Sequence, residues 1–337
     1  MTYFPDESIM NIPRYSDIVK AHTNLVRFAH RTPILSSTHI DVSTGGKIYC
    51  KCENFQKTGS FKFRGAVNAV MSLSEGAAGQ GVATHSSGNH AAALALAARE
   101  RGIAAYVVMP ETAPEIKKRA VAGYGAKIFF CTPSLEARQA TLAEVISETG
   151  AAEIHPYDNF HVIAGQGTAM KEMVEDGPDL DSALVPVGGG GLLAGTALAL
   201  THLSPRTHLI GCEPEGADDA YRSFLQGEII PSINPLTIAD GLLTSLGERN
   251  FAIIREQVDQ IVTVSEDSII AAMRMVWERM KIIIEPSSAV PLGAILEGKI
   301  DLRDQRVGIL ISGGNVDLEK LPFSPYCTSE RVANPDF

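Results

Sequence analysis

The chain's 337 residues, 20% charged and 45% drawn from the AVILMFWYC set, match the balance of an ordinary globule with room for two domains or one elaborate α/β domain. A net charge of −10 with no Lys/Arg cluster argues against a nucleic-acid surface. No apolar run approaches the roughly 20 residues needed to cross a bilayer, so no membrane partner is expected.

From about residue 80 onward, strand-like and helix-like segments alternate. Residues 104–109 read as a buried strand, 114–124 as a helix, 127–131 as a strand and 135–149 as a helix. Then come a strand at 183–187, a helix at 192–203, a strand at 208–212 and a helix at 217–225. A strand at 260–264, helices at 267–280 and 287–297 and a strand at 307–311 complete the series. Short apolar β runs separated by helices imply crossover units and a parallel sheet. With no Ser/Pro/Gly-rich linker, repeat or low-complexity tract, two domains must be interleaved. Ligands of such sheets bind beyond the carboxyl ends of the strands.

The five cysteines, at 50, 52, 131, 212 and 327, are dispersed without metal-like spacing, which fits a reducing compartment. Cys50 and Cys52 lie two apart in a strand-like run and face one side of a sheet as small hydrophobes. Residues 1–14 lack an apolar core flanked by basic residues, so a cytoplasmic location is expected.

Five segments carry potential chemistry. Lys62 sits between Phe61 and Phe63 at a helix start, in Gly59-Ser60-Phe61-Lys62-Phe63-Arg64-Gly65. A buried ammonium loses its proton readily and becomes a nucleophile toward carbonyls; a surface lysine over inward aromatics is the plainer reading. Ser86-Ser87-Gly88-Asn89-His90 precedes an alanine-rich helix at 91–99. There it serves either as a cap or as a carboxylate site at the positive helix end. Gly188-Gly189-Gly190-Gly191 follows one strand and precedes a helix, the arrangement of a phosphate cradle. Glu213-Pro214-Glu215-Gly216-Ala217-Asp218-Asp219 is either an oxygen-rich site for a hard divalent cation or an acidic helix N-terminus. Ser312-Gly313-Gly314-Asn315 is a glycine turn at a strand's carboxyl end, weak by itself. A rival reading takes Gly189–Ala194 as G-x-G-x-x-A and Glu213 as the ribose carboxylate of an NAD-dependent dehydrogenase, which leaves Lys62 and the other loops without a task.

In this order, the motifs resemble the fold-type II pyridoxal-phosphate enzymes, in the branch of serine/threonine dehydratases, serine racemases and 3-hydroxyaspartate dehydratases. The resemblance runs from Arg31-Thr32-Pro33 to Leu321 and includes Ile163-Ala164-Gly165-Gln166-Gly167-Thr168 and Ile284-Glu285-Pro286-Ser287. It implies two interleaved open twisted α/β sheets flanked by helices, with the active site in the cleft between a large domain (1–75 and 156–337) and a small one (76–155).

By that resemblance Lys62 forms the Schiff base with pyridoxal phosphate, beside Phe61. Gly188, Gly189, Gly190, Gly191 and Leu192 hold the phosphate, and Asn89 the ring's 3′-oxygen. Ser312 meets the pyridine nitrogen, with Glu285 and Gly241 nearby. Ser86, Ser87, Gly88, Asn89 and His90 take the substrate carboxylate, and Arg138 and Tyr157 line the pocket. Glu213, the Ala217 carbonyl and Asp219 match a divalent-metal site for Mg²⁺, Ca²⁺ or Mn²⁺, and a homodimer is implied. The reaction implied is loss of water from a β-hydroxy amino acid (L-serine, L-threonine or 3-hydroxyaspartate) to give a 2-keto acid and ammonia. The alternative is racemisation, with Lys62 and Ser87 as bases on opposite faces. A serine facing the pyridine nitrogen does not keep it protonated, which favours elimination over a long-lived carbanion.

Overall fold

The computed structural model describes residues 11–113 and 115–323; Cys327 lies outside them. Ten strands form two sheets: β1 (Ile34–Leu35), β2 (Lys47–Cys52), β3 (Val82–His85), β4 (Ala105–Pro110), β5 (Lys127–Cys131), β6 (Ala152–Glu153), β7 (Ser182–Pro186), β8 (His208–Pro214), β9 (Gln260–Val264) and β10 (Arg306–Ile311). The larger sheet has the order β1-β2-β10-β7-β8-β9, and the smaller β5-β4-β3-β6. All pairs are parallel except β1 with β2. This is the mixed α/β architecture with interleaved sheets expected from the alternating segments. The smaller sheet is one continuous insertion between β2 and β7, strands that both lie in the larger.

Expected and observed elements agree to within two residues at most ends; 127–131 and 135–149 agree fully. Four substantial helices escaped the periodicity: Tyr15–Leu25, Thr38–Thr44, Phe160–Asp176 and Glu248–Gln257. The reason is clearest for Phe160–Asp176, in which every residue from Val162 to Met173 is buried. A helix buried on all sides shows no clear apolar stripe against a wet face. Its close approach to neighbours requires glycine: a Cβ on Gly165 would lie 2.7 Å from Gly65 Cα, and one on Gly167 would lie 2.7 Å from Gly195 O. Cys50 and Cys52 do share one core face, between β2 and the helices Glu266–Met280 and Pro286–Leu296.

The helix Lys62–Met71 connects the halves. Phe63, Ala66, Val67 and Val70 join one core with Val82 and Ala105 of the smaller sheet and Val162 of the long helix. Its first turn is anchored by a buried charge network. Arg64 Nε donates to Glu53 (2.7 Å), its other nitrogens to Glu172 (2.7 and 2.8 Å), and Lys51 Nζ also donates to Glu172 (2.7 Å). Arg64, Lys51 and Glu53 are fully buried, and two cations balance two anions. Such a network fixes geometry more than it adds stability, and the geometry it fixes is that of Lys62 two residues earlier.

Candidate active site

The loops after β3, β7 and β10 meet at the start of the Lys62 helix. Residues 57–62 are zipped to the loop after β10. Phe61 N donates to Ser312 O (2.9 Å), Gly314 N donates to Gly59 O (2.9 Å), and Ser60 pairs with Gly313 in an isolated antiparallel bridge. Thr58 takes the left-handed region at φ 61° to make this turn.

Lys62 Nζ points inward and donates to Pro156 O at 2.9 Å. It lies 5.2 Å from the centre of the Phe61 ring and 5.9 Å from that of Tyr157. Burial lowers its pKa from 10.5 to about 8, a fall that the nearby Glu285 carboxylate partly offsets. The inward amine of the two sequence readings is therefore the observed one. At pH 7.5 about a quarter of such amines are neutral, against roughly a thousandth at an ordinary lysine.

Glu285, at the N-terminus of the helix Pro286–Leu296, is buried and its pKa is pushed up to about 7 by desolvation and by Asp240. Both its oxygens accept from Asn89 Nδ2 at 3.0 Å. Ser312, also buried, pairs with Ser288 Oγ at 2.9 Å, and Ser288 Oγ in turn accepts from Gly313 N at 2.7 Å.

The tetraglycine permits no side chain. A Cβ on Gly188 would lie 2.9 Å from Leu242 Cα, and one on Gly189 2.4 Å from the Tyr157 ring. Gly190 stands at φ 86°. The helix begins at Gly191, so the amides of its first turn, Leu192 included, have no partner within it. An oxyanion held by main-chain amides at a helix N-terminus fits this cradle. Asn250, fully buried, supports the loop from behind by donating to Gly189 O at 2.6 Å. Gly241 N donates to Ser287 Oγ at 3.0 Å, which leaves its carbonyl toward Gly188.

A row of side chains leads from Lys62 across the cleft. The His155 ring meets Tyr157 edge-on at 4.6 Å and His85 at 6.0 Å. Burial, with a further contribution from the Arg138 charge, lowers the pKa of His85. Arg138 Nε is buried with no hydrogen-bond partner. His155 is held neutral, at about 4, by burial, and its Nδ1 accepts from Asp158 N at 2.9 Å. Burial raises the Tyr157 phenol, so it stays protonated. Ser86, Ser87 and Gly88 are partly exposed between this row and Asn89, with Ser86 Oγ accepting from Gly88 N at 3.3 Å. The His90 imidazole turns away: it is buried, pairs through Nε2 with Ile154 O (3.1 Å) and is held near 3. Only its main chain belongs with the carboxylate loop.

Glu213 and Asp219 are both fully buried. Glu213 accepts from Ala220 N (2.9 Å) and Tyr221 N (2.8 Å), capping the helix Asp219–Gln226, and is pushed up to about 9 by burial and by Asp219. Both Asp219 oxygens lack hydrogen-bond partners, and burial raises its pKa to about 6. An orphaned buried carboxylate beside a second one suits a hard divalent cation, with the Ala217 carbonyl as a further oxygen. Among the described residues no group of three His, Cys, Asp or Glu side chains is placed to hold a metal ion, so an ion here would also need main-chain oxygens. The dinucleotide reading leaves the inward Lys62 amine, the Ser312 turn and the Asn89–Glu285 pair without a task.

Sequence reasoning missed Asn250, Ser288 and the role of Asn315, which hydrogen-bond residues it found from other segments of the chain. An open depression of about 620 Å³ bordered by Tyr15, His202 and Gln257 contains none of the residues above.

Comparison with known proteins agrees with this site. Residues 26–313 match the family described as pyridoxal-phosphate dependent enzyme. The β-hydroxyaspartate dehydratase of Paracoccus denitrificans (strain Pd 1222) is 49% identical over 94% of this chain and 100% of its own. The L-threo-3-hydroxyaspartate ammonia-lyase of Saccharomyces cerevisiae is 46% identical over 92% of this chain and 96% of its own. The crystal structure of serine racemase from Dictyostelium discoideum superposes with a TM-score of 0.88 at 50% identity, covering 91% of this chain and 99% of that one. With an inward-pointing amine, a glycine loop at a helix N-terminus and likeness of this extent, the chain belongs to the pyridoxal-phosphate dependent enzymes, in their fold-type II branch.

Proposed function

We propose that this enzyme is an ammonia-lyase that eliminates water from 3-hydroxyaspartate, with serine and threonine as poorer substrates, releasing a 2-keto acid and ammonia. The observation that carries the substrate is Arg138, whose Nε is buried with no hydrogen-bond partner and whose charge acts on His85 beside the row of rings. A guanidinium is suited to a second carboxylate, which serine and threonine lack. Two relatives named for hydroxyaspartate support the reading.

The residues fit the cofactor. Lys62 would hold its carbonyl carbon, the amides of Gly188–Leu192 its phosphate, Asn89 its 3′-oxygen and Ser312 its ring nitrogen, with Phe61, Glu285 and Gly241 around the ring. When bound, pyridoxal phosphate supplies the carbonyl that captures the substrate amine and the ring that draws electrons from Cα. Lys62, released by the incoming amine and readily neutral, takes the Cα proton. The loop Ser86–His90 binds the α-carboxylate through its main chain and hydroxyls, and Arg138 and Tyr157 bind the far carboxylate. The β-hydroxyl takes up a proton and leaves as water; the enamine so formed tautomerises to an imine, which adds water to give the keto acid and ammonia. Ser312 offers a hydroxyl rather than a carboxylate to the ring nitrogen, which favours prompt departure of the leaving group over reprotonation at Cα.

Glu213, Ala217 and Asp219 would hold Mg²⁺, Ca²⁺ or Mn²⁺ as a structural ion. Residues 76–155, which contain the smaller sheet, would form a small domain on a large one made of 1–75 and 156–337, in a homodimer. Among the described residues no helix is long and apolar enough to cross a membrane.

Keto-acid release from the three substrates tests the reading. Arg138→Ala should raise KM for 3-hydroxyaspartate roughly 10- to 100-fold, the worth of a charge-assisted pair, and leave serine turnover near its original level. Equal loss on both substrates would refute the assignment. Racemisation, with Lys62 and Ser87 as the two bases, is the second reading, supported by the serine racemase of Dictyostelium discoideum, 50% identical over 90% of this chain. Ser87→Ala should abolish any inverted product while elimination of one enantiomer persists.

A further inference from the structure

Asn315 stands where three segments meet, and its amide nitrogen serves two of them. Nδ2 donates to Thr58 O at 2.8 Å, on the turn that delivers Lys62, and to Asn89 Oδ1 at 2.9 Å, on the helix that follows β3. Asn89 in turn gives its own Nδ2 to both oxygens of Glu285 at 3.0 Å. Asn315 Oδ1 faces Gly59, where a Cβ would lie only 2.4 Å away. Gly59 stands at φ 74°, so the turn and the amide fit each other closely.

An asparagine amide has a donor end and an acceptor end of nearly the same shape, and its neighbours decide which way it faces. With Asn315 donating to Oδ1, the acceptor end of Asn89 is engaged, and the donor end must face Glu285 and the cofactor's 3′-oxygen. A reversed Asn89 would set its oxygen against the Glu285 carboxylate and its NH₂ against the NH₂ of Asn315. We infer that Asn315 is a positioning residue: it fixes the donor end of Asn89 toward the cofactor's 3′-oxygen and ties that contact to the Lys62 turn. The inference rests on the placement of Asn89 proposed above. A donor held there stabilises the ionised 3′-oxygen, so Asn315 influences the protonation of the lysine-bound cofactor without touching it.

Asn315→Asp keeps size and shape but, when ionised, has no donor and opposes both Thr58 O and Asn89 Oδ1. Asn315 is exposed to solvent, so folding is expected to survive, and Asn315→Ala, which removes the side chain without adding charge, serves as the second variant. The readouts are pyridoxal-phosphate affinity of the apoprotein and the pH midpoint of the visible absorbance band of the lysine-bound cofactor. Both variants should weaken cofactor binding roughly tenfold or more, the effect of leaving a polar partner unmatched, and should move the band's pH midpoint upward, because the ionised 3′-oxygen loses its stabilising donor. In an Asn89→Ala background, Asn315→Ala should shift the midpoint no further, because the two residues act in series. An unchanged midpoint in folded Asn315→Ala, or an undiminished shift in the Asn89→Ala background, would overturn the inference. An Asn89→Ala protein with unaltered midpoint and affinity would instead overturn the placement of Asn89 itself.

Discussion

Replacing Lys62 by methionine should make the cofactor-free protein more stable while abolishing its chemistry. The side chain is held among Phe61, Tyr157 and Pro156 O, and burial brings its pKa from 10.5 to about 8. At 1.36 kcal/mol per pH unit that displacement corresponds to about 3 kcal/mol of unfavourable free energy in the charged form. Loss of the hydrogen bond to Pro156 O returns about 1 kcal/mol, so Lys62→Met should gain about 2 kcal/mol at neutral pH. The sign follows from proton counts. Between about pH 8 and 10.5 the unfolded chain carries the proton and the folded one does not, so wild-type stability from this group rises with pH across that window. Below pH 8 both states are protonated and the penalty is constant and full. The advantage of Lys62→Met is therefore greatest below pH 8 and fades as pH approaches 10.5. Urea unfolding of both apoproteins at several pH values measures it. Amine labelling at Lys62 should independently titrate with a midpoint near 8. A methionine variant less stable than wild type at pH 7, or a labelling midpoint near 10.5, would refute the reasoning.

Three further outcomes are expected. Glu172→Gln removes one anion from the buried network with Arg64 and Lys51 and should cost about 3–5 kcal/mol, read by urea unfolding, with weaker cofactor binding because the Lys62 helix loses its anchor. Millimolar Mg²⁺ should raise the melting temperature of chelator-treated protein by relieving Glu213 and Asp219, and Asp219→Asn should abolish most of that rise. Gly190→Ala forces a Cβ into the left-handed region at φ 86°, 2.9 Å from Leu246 Cδ2, costing at least about 1–2 kcal/mol and a large part of the phosphate affinity in equilibrium dialysis.

Much of this was legible in the sequence because the chemistry resides in loops of unusual composition. Gly188–Gly191 has no room for side chains, and Ser86–Asn89 and Ser312–Asn315 stand at carboxyl ends of strands. Those are local facts that a sequence carries openly. The alternation of strands and helices after residue 80 likewise reports its own burial pattern. What stayed hidden depended on long-range packing. The helix Phe160–Asp176 is buried on every side from Val162 to Met173, and Asn250 and Ser288 reach Gly189 and Gly313 from distant segments.

Lys62 itself shows where that boundary falls. Its two phenylalanine neighbours in sequence suggest a buried amine, but they do not establish one. Phe63 packs into the core beneath the helix, and only Phe61 stands near the amine. The inward course of the side chain comes instead from Arg64, locked by Glu53 and Glu172 from segments 11 and 108 residues away. It is completed by the carbonyl of Pro156, 94 residues on. The same logic separates reaction from substrate. Lys62, the glycine cradle and Ser312 are set by rigid main chain, so the chemistry is written into the fold. His85, His155 and Tyr157 form a row of rings beside Lys62, and the Arg138 charge acts on its far end at His85. Substrate choice therefore rests on contacts that a few substitutions can redirect while the lysine and its cradle stay in place.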